Sequence, residues 1–172
     1  EGLVQTDTAG DFYCTGSYVV AMDNDEPVAI RCWRPQPHAG QTLRDALQNS
    51  CNPAFISIGQ NLGLKAFTTY RAAYGLDKIT GIDLPGETTS ILHSYSSMGP
   101  VELASESFGQ SFKVTPIQLI TAISAAVNGG YLNKPHIVKQ IVDNDGNVVK
   151  NIGTTQVRQV VSEETSAQIC EY

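Results

Sequence analysis

Two stretches near the start of the chain, Phe12 to Val20 and Val28 to Trp33, are rich in β-branched and aromatic residues. A polar run from Met22 to Pro27 separates them. β-branched and aromatic residues favour strands, whereas a polar run with Asp, Asn and Pro favours a loop. The pattern therefore predicts a short β-hairpin. An extended connector at Arg34 to Pro37 follows it, because each proline keeps the preceding residue out of helical angles.

Helix start and stop signals come after the connector. Thr42, with Asp45 three residues later, is typical of a helix N-terminus. A second helix is predicted to begin with Asn52 as its N-cap and Pro53 in its first turn, and to close at Gly63. These signals predict a loop held between two short helices.

Three more helices are predicted further along the chain. Lys65 to Tyr74 forms one, Pro116 to Val127 forms an apolar core helix with Thr115 as its N-cap, and Ser162 begins the last. The segment from Gly81 to about Ser107 has little periodicity and many turn residues, so we expect it to be irregular.

An acidic turn, Asp143 to Asn147, lies between the apolar runs Ile137 to Val142 and Val148-Val149. Its Asp-Gly pair favours a hairpin turn. The two Asp residues are spaced as in a calcium loop, but the twelfth position is Thr154 rather than the required Glu. We therefore expect a hairpin here and no calcium site.

Composition restricts the class of protein. The chain has 172 residues, 41% of them hydrophobic and 16% charged, which is typical of one folded globular unit. Lys and Arg number 11 against 17 Asp and Glu, a net charge of −6 with no basic cluster, so we expect no nucleic-acid partner. Polar residues interrupt the longest apolar stretch, Ile117 to Val127, so we expect no membrane span in this sequence.

The four cysteines, Cys14, Cys32, Cys51 and Cys170, show no C-x-x-C spacing. This excludes the usual zinc and thioredoxin motifs, and we expect no metal ion and no cofactor. Cys14 and Cys32 are either a disulfide across the hairpin or two free buried thiols, and the residues alone leave both open. No positive or imidazole neighbour in sequence favours Cys51 as a nucleophile.

Candidate chemistry is sparse. The three histidines lie in polar or proline-rich settings typical of surface residues, and there is no Gly-x-Ser-x-Gly elbow, so we expect no Ser-His-Asp triad. Ser50 and Asn52 are more informative. A hydroxyl that passes a proton and an amide that binds a carbonyl would project side by side from the predicted loop. Spacing alone favours a simpler role, in which Ser50 ends one helix and Asn52 caps the next.

Four motifs follow one another along the chain: Ala46 to Phe55 with Ser-Cys-Asn at its centre, Gly81 to Glu87, Phe108-Gly109-Gln110 with Val114 to Leu119, and Asn128-Gly129-Gly130. In this order they resemble the transpeptidase domain of class B penicillin-binding proteins. Phe12 to Gly16 and Ile30 to Trp33 further resemble the sporulation and the elongation or division subgroups. The resemblance covers nearly the whole chain.

The resemblance implies an α+β fold, a helical lobe plus a partial antiparallel sheet of the serine β-lactamase-like transpeptidase fold. It implies that Ser50 and Asn52 are the auxiliary catalytic S-x-N element. The family's nucleophile element, Ser-x-x-Lys, and its Lys-Thr-Gly strand are both absent from the sequence. We expect them just outside the two ends, which makes residues 1–172 a partial transpeptidase domain.

The implied function is that of a penicillin-binding peptidoglycan D,D-transpeptidase fragment, inactive alone, whose partners are a peptidoglycan stem peptide or a β-lactam. The parent would act outside the cytoplasm, anchored to the bacterial cytoplasmic membrane. Without the two absent elements, apolar faces of the Pro116 to Val127 helix and of the Ile137 to Val142 strand should be exposed, and we expect self-association. The alternative is a non-catalytic scaffold or binding module of a cell-wall or sporulation complex; a β-lactam sensor domain ranks last.

Overall fold

The computed structural model describes residues 10–23 and 26–172. Their contacts divide into two compact units. The first contains residues up to 68, residues 92–112 and Tyr172; the second contains residues 69–91 and 113–171. Length alone predicts one folded unit, whereas the contacts form two.

The strands of the first unit form two antiparallel pairs. β2 (Ser17–Asp23) pairs with β3 (Glu26–Arg31), which confirms the predicted hairpin. β1 (Phe12–Cys14) pairs instead with β4 (Ala39–Gln41). The prediction of one continuous strand from Phe12 to Val20 is therefore wrong. Gly16, with a φ of 96°, turns the chain between β1 and β2, and glycine adopts this angle without steric cost.

Four helices belong wholly or partly to the first unit: α1 (Leu43–Gln48), α2 (Asn52–Leu62), α3 (Leu64–Ala73) and α4 (Pro100–Ser107), with a short 3₁₀ turn at Tyr95–Ser97. The first three confirm the predicted helices. α4 contradicts the expected irregular segment. Its start is locally specified, because the Glu102 carboxylate accepts the Gly99 N–H at 2.8 Å and Pro100 occupies the first turn.

The core of the first unit brings strands and helices together. Phe12, Cys14, Cys32, Ala46, Cys51 and Ala54 form one buried cluster, and Leu43 and Ile58 pack against it. α2 also packs closely on α4, since a Cβ placed at Gly59 would overlap the Ser107 side chain. Small residues therefore set the distance between these two helices.

The second unit contains α5 (Pro116–Val127), α6 (Glu163–Cys170) and two antiparallel strand pairs. β5 (Tyr131–Lys134) pairs with β8 (Thr155–Gln159), and β6 (Gln140–Val142) pairs with β7 (Val148–Asn151). The hairpin at Asp143 is confirmed, because the Asp143 carboxylate accepts backbone N–H groups of Asp145 and Asn147. The β5–β8 pair joins distant segments and was not predicted.

Several apolar side chains of the second unit are exposed, among them Leu119, Ile120, Ile123, Ile137, Ile141 and Val142. This confirms the expectation that faces of α5 and of the β6 region are left uncovered. In the described ranges, no helix has both the length and the apolar content that crossing a membrane requires.

Candidate functional site

The candidate site is the elbow between α1 and α2. After the last residue of α1, Ser50 adopts a left-handed backbone conformation with a φ of 47°. The Ser50 N–H donates to the Leu47 carbonyl and the Cys51 N–H donates to the Ala46 carbonyl, each at 3.0 Å. These bonds satisfy the last carbonyls of α1 and turn the chain sharply. The Ser50 side chain is consequently exposed.

Asn52 does not cap α2, which corrects the simpler prediction. Cys51 occupies the N-cap position without a side-chain hydrogen bond, and Asn52 is the first helical residue. The Asn52 Nδ2 donates instead to the Arg31 carbonyl at 3.0 Å, at the end of β3. Ser50 and Asn52 therefore flank the buried Cys51 on one short turn.

Side chains from neighbouring segments hold the elbow. Trp33 Nε1 donates to the Asn49 carbonyl at 2.9 Å, and the Asn49 amide donates to the buried Gln41 Oε1 at 2.9 Å. At the start of α1, Thr42 and Asp45 form the predicted capping box. Hydrogen bonds from the backbone and hydroxyl of Thr42 lower the pKa of the Asp45 carboxyl. Both ends of this short helix are thus fixed, which limits the freedom of the elbow.

The elbow supplies a hydroxyl and an amide, and neither carries a charge. A hydroxyl donates and accepts, so it can relay a proton, while an amide with one N–H committed to Arg31 keeps its oxygen as an acceptor. The arrangement can position and protonate a substrate. A nucleophile would have to come from another element.

The comparison with known families shows which family the chain belongs to. The sequence profile of the penicillin binding protein transpeptidase domain matches residues 19–171. The chain belongs to this family. The family resemblance drawn from the four motifs is thereby confirmed.

Individual relatives agree. The chain is similar to stage V sporulation protein D of Bacillus subtilis, 46% identical over 141 residues that make up 81% of this chain and 22% of that protein. It is also similar to peptidoglycan D,D-transpeptidase PbpA of Mycobacterium tuberculosis, 30% identical over 138 residues, 76% of this chain and 26% of that protein. The chain thus spans about a quarter of the length of these relatives.

The fold is shared with a solved penicillin binding protein. The crystal structure of apo penicillin binding protein 3 from Mycobacterium tuberculosis superposes with a TM-score of 0.82 at 22% identity, covering 98% of this chain and 36% of that one. The predicted α+β class is confirmed by this likeness and by the helices and antiparallel strands described above.

The structure also brings together residues that the sequence leaves apart. Cys14, Cys32 and Cys51 are buried and free, so free thiols rather than a Cys14–Cys32 disulfide are observed. His38 joins them, and one ligand atom from each of the four residues lies within 4.8 Å of the others. Burial raises the pKa of the Cys51 thiol to about 11, which disfavours it as a nucleophile, as expected.

The histidines are less exposed than their sequence settings indicate. All three are half-buried. His93 Nδ1 lies 3.0 Å from the buried Glu106 carboxylate, and His136 Nδ1 lies 2.9 Å from the Val138 carbonyl. All three rings thus keep part of their surface exposed, and each has a polar partner, which for His136 lies only two residues away.

Proposed function

We propose that this chain is the part of a peptidoglycan D,D-transpeptidase that supplies the S-x-N element of the acyl-transfer site. Ser50 passes a proton to the leaving amine nitrogen of the stem peptide, or to the β-lactam nitrogen. Asn52 holds the lysine of the nucleophile element and the amide carbonyl of the substrate.

The observation that carries this proposal is the geometry of the elbow within a chain of this family. Ser50 is exposed and Asn52 is anchored to the Arg31 carbonyl, so both groups project from a turn whose backbone is fixed. A proton donor works when it is positioned before the reaction, and such a group contributes about 10²–10⁴-fold to the rate. The exposed hydroxyl and the anchored amide meet this requirement.

The same chain is inactive by itself in this proposal. Acylation needs an activated Ser nucleophile and donors for the oxyanion, and the sequence contains neither Ser-x-x-Lys nor a Lys-Thr-Gly strand. These 172 residues alone therefore form no acyl-enzyme. A crystal structure of penicillin binding protein 3 from Mycobacterium tuberculosis, which has the same fold, contains the β-lactam aztreonam. This complex supports the proposal that the complete site binds a β-lactam.

Labelling with a fluorescent penicillin tests the proposal. We expect no covalent band for the 172-residue chain, and a band for a longer chain that adds the nucleophile and Lys-Thr-Gly elements. In the longer chain, Ser50→Ala should lower the acylation rate about 100-fold or more. Ser96→Ala, which removes an exposed hydroxyl of the 3₁₀ turn, is the matched control and should leave the rate unchanged.

Two results would contradict the proposal. A band on the short chain would mean that a nucleophile is already present in it. Labelling of neither chain, with both folded, would favour the alternative of a non-catalytic module in a cell-wall or sporulation complex.

The place of action follows from the same proposal. Peptidoglycan cross-links form outside the cytoplasmic membrane, so we propose an extracytoplasmic protein whose parent is membrane-anchored. The 46% identity to stage V sporulation protein D supports a sporulation role. Deletion of the parent gene should then reduce spore formation more strongly than it reduces the rate of vegetative growth.

Self-association is the remaining part of the proposal. We propose that the exposed aliphatic side chains of α5 and β6 are covered by a second copy of this chain at high concentration. Light scattering should show a mass that rises with concentration, and Ile120→Asp should return the chain to a monomer. A strict monomer at millimolar concentration would contradict this.

A further inference from the structure

Three buried thiols and one imidazole converge in the core of the first unit. Cys14 ends β1, Cys32 follows β3, His38 precedes β4 and Cys51 is the N-cap of α2. Their ligand atoms all lie within 4.8 Å of one another. Four separate segments therefore aim a sulfur or nitrogen at one point.

The spacing of these atoms matches a tetrahedral zinc site. Zinc bonds of about 2.3 Å to sulfur and about 2.0 Å to nitrogen imply edges of roughly 3.8 Å between sulfurs and roughly 3.6 Å between sulfur and nitrogen. Cys32 Sγ lies 3.6 Å from His38 Nδ1. The remaining separations, up to 4.8 Å, exceed these tetrahedral edges by about 1.2 Å at most, so zinc binding requires the ligand side chains to move closer together.

A disulfide would involve only two of the four side chains in this cluster. A disulfide between two of the three thiols leaves the third thiol and the imidazole without a shared partner in the core. A metal ion would instead bind all four groups. Three cysteines with one histidine are instead a complete ligand set for a structural zinc site. Soft thiolates with one imidazole in a tetrahedral arrangement select zinc over magnesium or calcium.

The surroundings are suited to holding thiolates. Backbone N–H groups of His38 and Gly16 donate hydrogen bonds to the Cys14 sulfur. Backbone N–H groups aimed at a ligand sulfur orient it and stabilise its charge. The imidazole is packed as well, with the Trp33 ring centroid 6.0 Å from that of His38.

We propose that this unit binds one Zn²⁺ ion through the sulfurs of Cys14, Cys32 and Cys51 and the Nδ1 of His38. Binding displaces one proton from each thiol that is protonated, so three neutral thiols would release three protons. The metal is structural, since all four positions are filled by the protein. Because Cys51 stands between Ser50 and Asn52, the ion also fixes the elbow that carries both groups.

Zinc content and thiol counting test the proposal on the 172-residue chain. The chain is purified under reducing conditions, incubated with zinc sulfate and passed through a gel-filtration column, and its metal is measured by mass spectrometry. We expect one zinc per chain. In the folded chain a thiol reagent should react only with the exposed Cys170, and in a denaturant with a strong chelator it should react with all four cysteines, which excludes a disulfide.

Matched variants make the test specific. Cys14→Ser should weaken zinc binding more than about 100-fold. Cys170→Ser, outside the cluster, should retain one zinc. His38→Cys preserves four ligands and should also retain the metal, with an altered charge-transfer spectrum when Co²⁺ replaces Zn²⁺. Circular dichroism checks that each chain is folded, and the fluorescence of Trp33, the only tryptophan, should change when zinc is added.

A folded, reduced chain that keeps no zinc after gel filtration would overturn the proposal. Full zinc retention by folded Cys14→Ser would overturn it too. Recovery of a disulfide between two of the three thiols, in a chain that stays zinc-free after reduction, would do the same. None of these measurements depends on acylation, so this proposal can fail or hold independently of the penicillin labelling.

Discussion

Helices α2 and α5 use apolar residues in opposite ways. In α2, the buried positions include Ala54, Ile56 and Gly59, and Ile56 is fully buried. In α5, the buried positions are Gln118, Ala122 and Ala125, whereas Ile120 and Ile123 are half exposed or more. The more apolar sequence thus belongs to the less completely packed helix.

The difference shows what positions the elbow. Ser50 and Asn52 project from the start of α2, whose inner face is closed by the core of the first unit. Close packing transmits small changes, so groups attached to such a helix are held to a defined place. Hydrophobicity of a segment does not by itself give that precision.

The largest effect is expected from truncating a buried residue of α2. Ile56→Ala should lower the free energy of unfolding by about 2–5 kcal/mol, because it removes buried atoms and leaves a cavity. Ile123→Ala in α5, where the side chain is 50% exposed, should lower it by about 1 kcal/mol or less. Urea denaturation followed by circular dichroism measures both, and equal losses would erase the contrast between the two helices.

An intermediate loss of stability is expected at a tightly packed position of the second unit, the unit that contains α5. Gly130 has a φ of 87°, and a Cβ placed there would overlap the Val161 carbonyl. Gly130→Ala should therefore cost about 2–4 kcal/mol of unfolding free energy. Gly146→Ala is the matched control, with a φ of 86° and open space around it, and should cost about 1 kcal/mol. Thermal or urea unfolding distinguishes them; similar losses would mean that backbone angle alone decides.

The smallest effect is pH-dependent and concerns the loop that follows α3. Burial acts to raise the pKa of Glu87, but hydrogen bonds from the Thr80 hydroxyl and N–H and the Gly81 N–H outweigh it and lower that pKa. A carboxyl with a lowered pKa in the folded state stabilises the fold above its unfolded pKa and loses this contribution as pH falls through its folded pKa.

Glu87→Gln should consequently reduce stability by about 1 kcal/mol at neutral pH. The difference from the original chain should shrink below about pH 4. Unfolding curves at pH 7, 5 and 3 measure it. A difference that stays constant across these values would show that the charge of Glu87 contributes nothing.

Elements specified by neighbouring residues could be predicted from the sequence. The capping boxes at Thr42 and Thr115 start α1 and α5 where expected, and Gly63 closes α2. The hairpin at Asp143 follows from its Asp-Gly turn. In each case the signal lies within about five residues of the feature that it determines, so local chemistry suffices.

Features that join distant segments could not be predicted in this way. The β1–β4 pair, the Asn52 bond to Arg31 and the cluster around Cys51 all bring together residues from separate stretches. The S-x-N pair was found through resemblance, since its spacing alone favours capping. No pairwise cysteine spacing signals the thiol cluster, because each ligand comes from a different segment and only folding assembles them.

The left-handed backbone at Ser50 makes stability and chemistry prefer different residues at one position. Glycine adopts a φ of 47° without the penalty of about 1–2 kcal/mol that a Cβ incurs there, but only serine brings the hydroxyl. Variants selected for folding alone would accumulate glycine at this position, whereas variants selected for the acyl transfer proposed above would keep serine. If the proposed proton transfer is no longer selected for, glycine at this position is expected to give a more stable fold that lacks the hydroxyl.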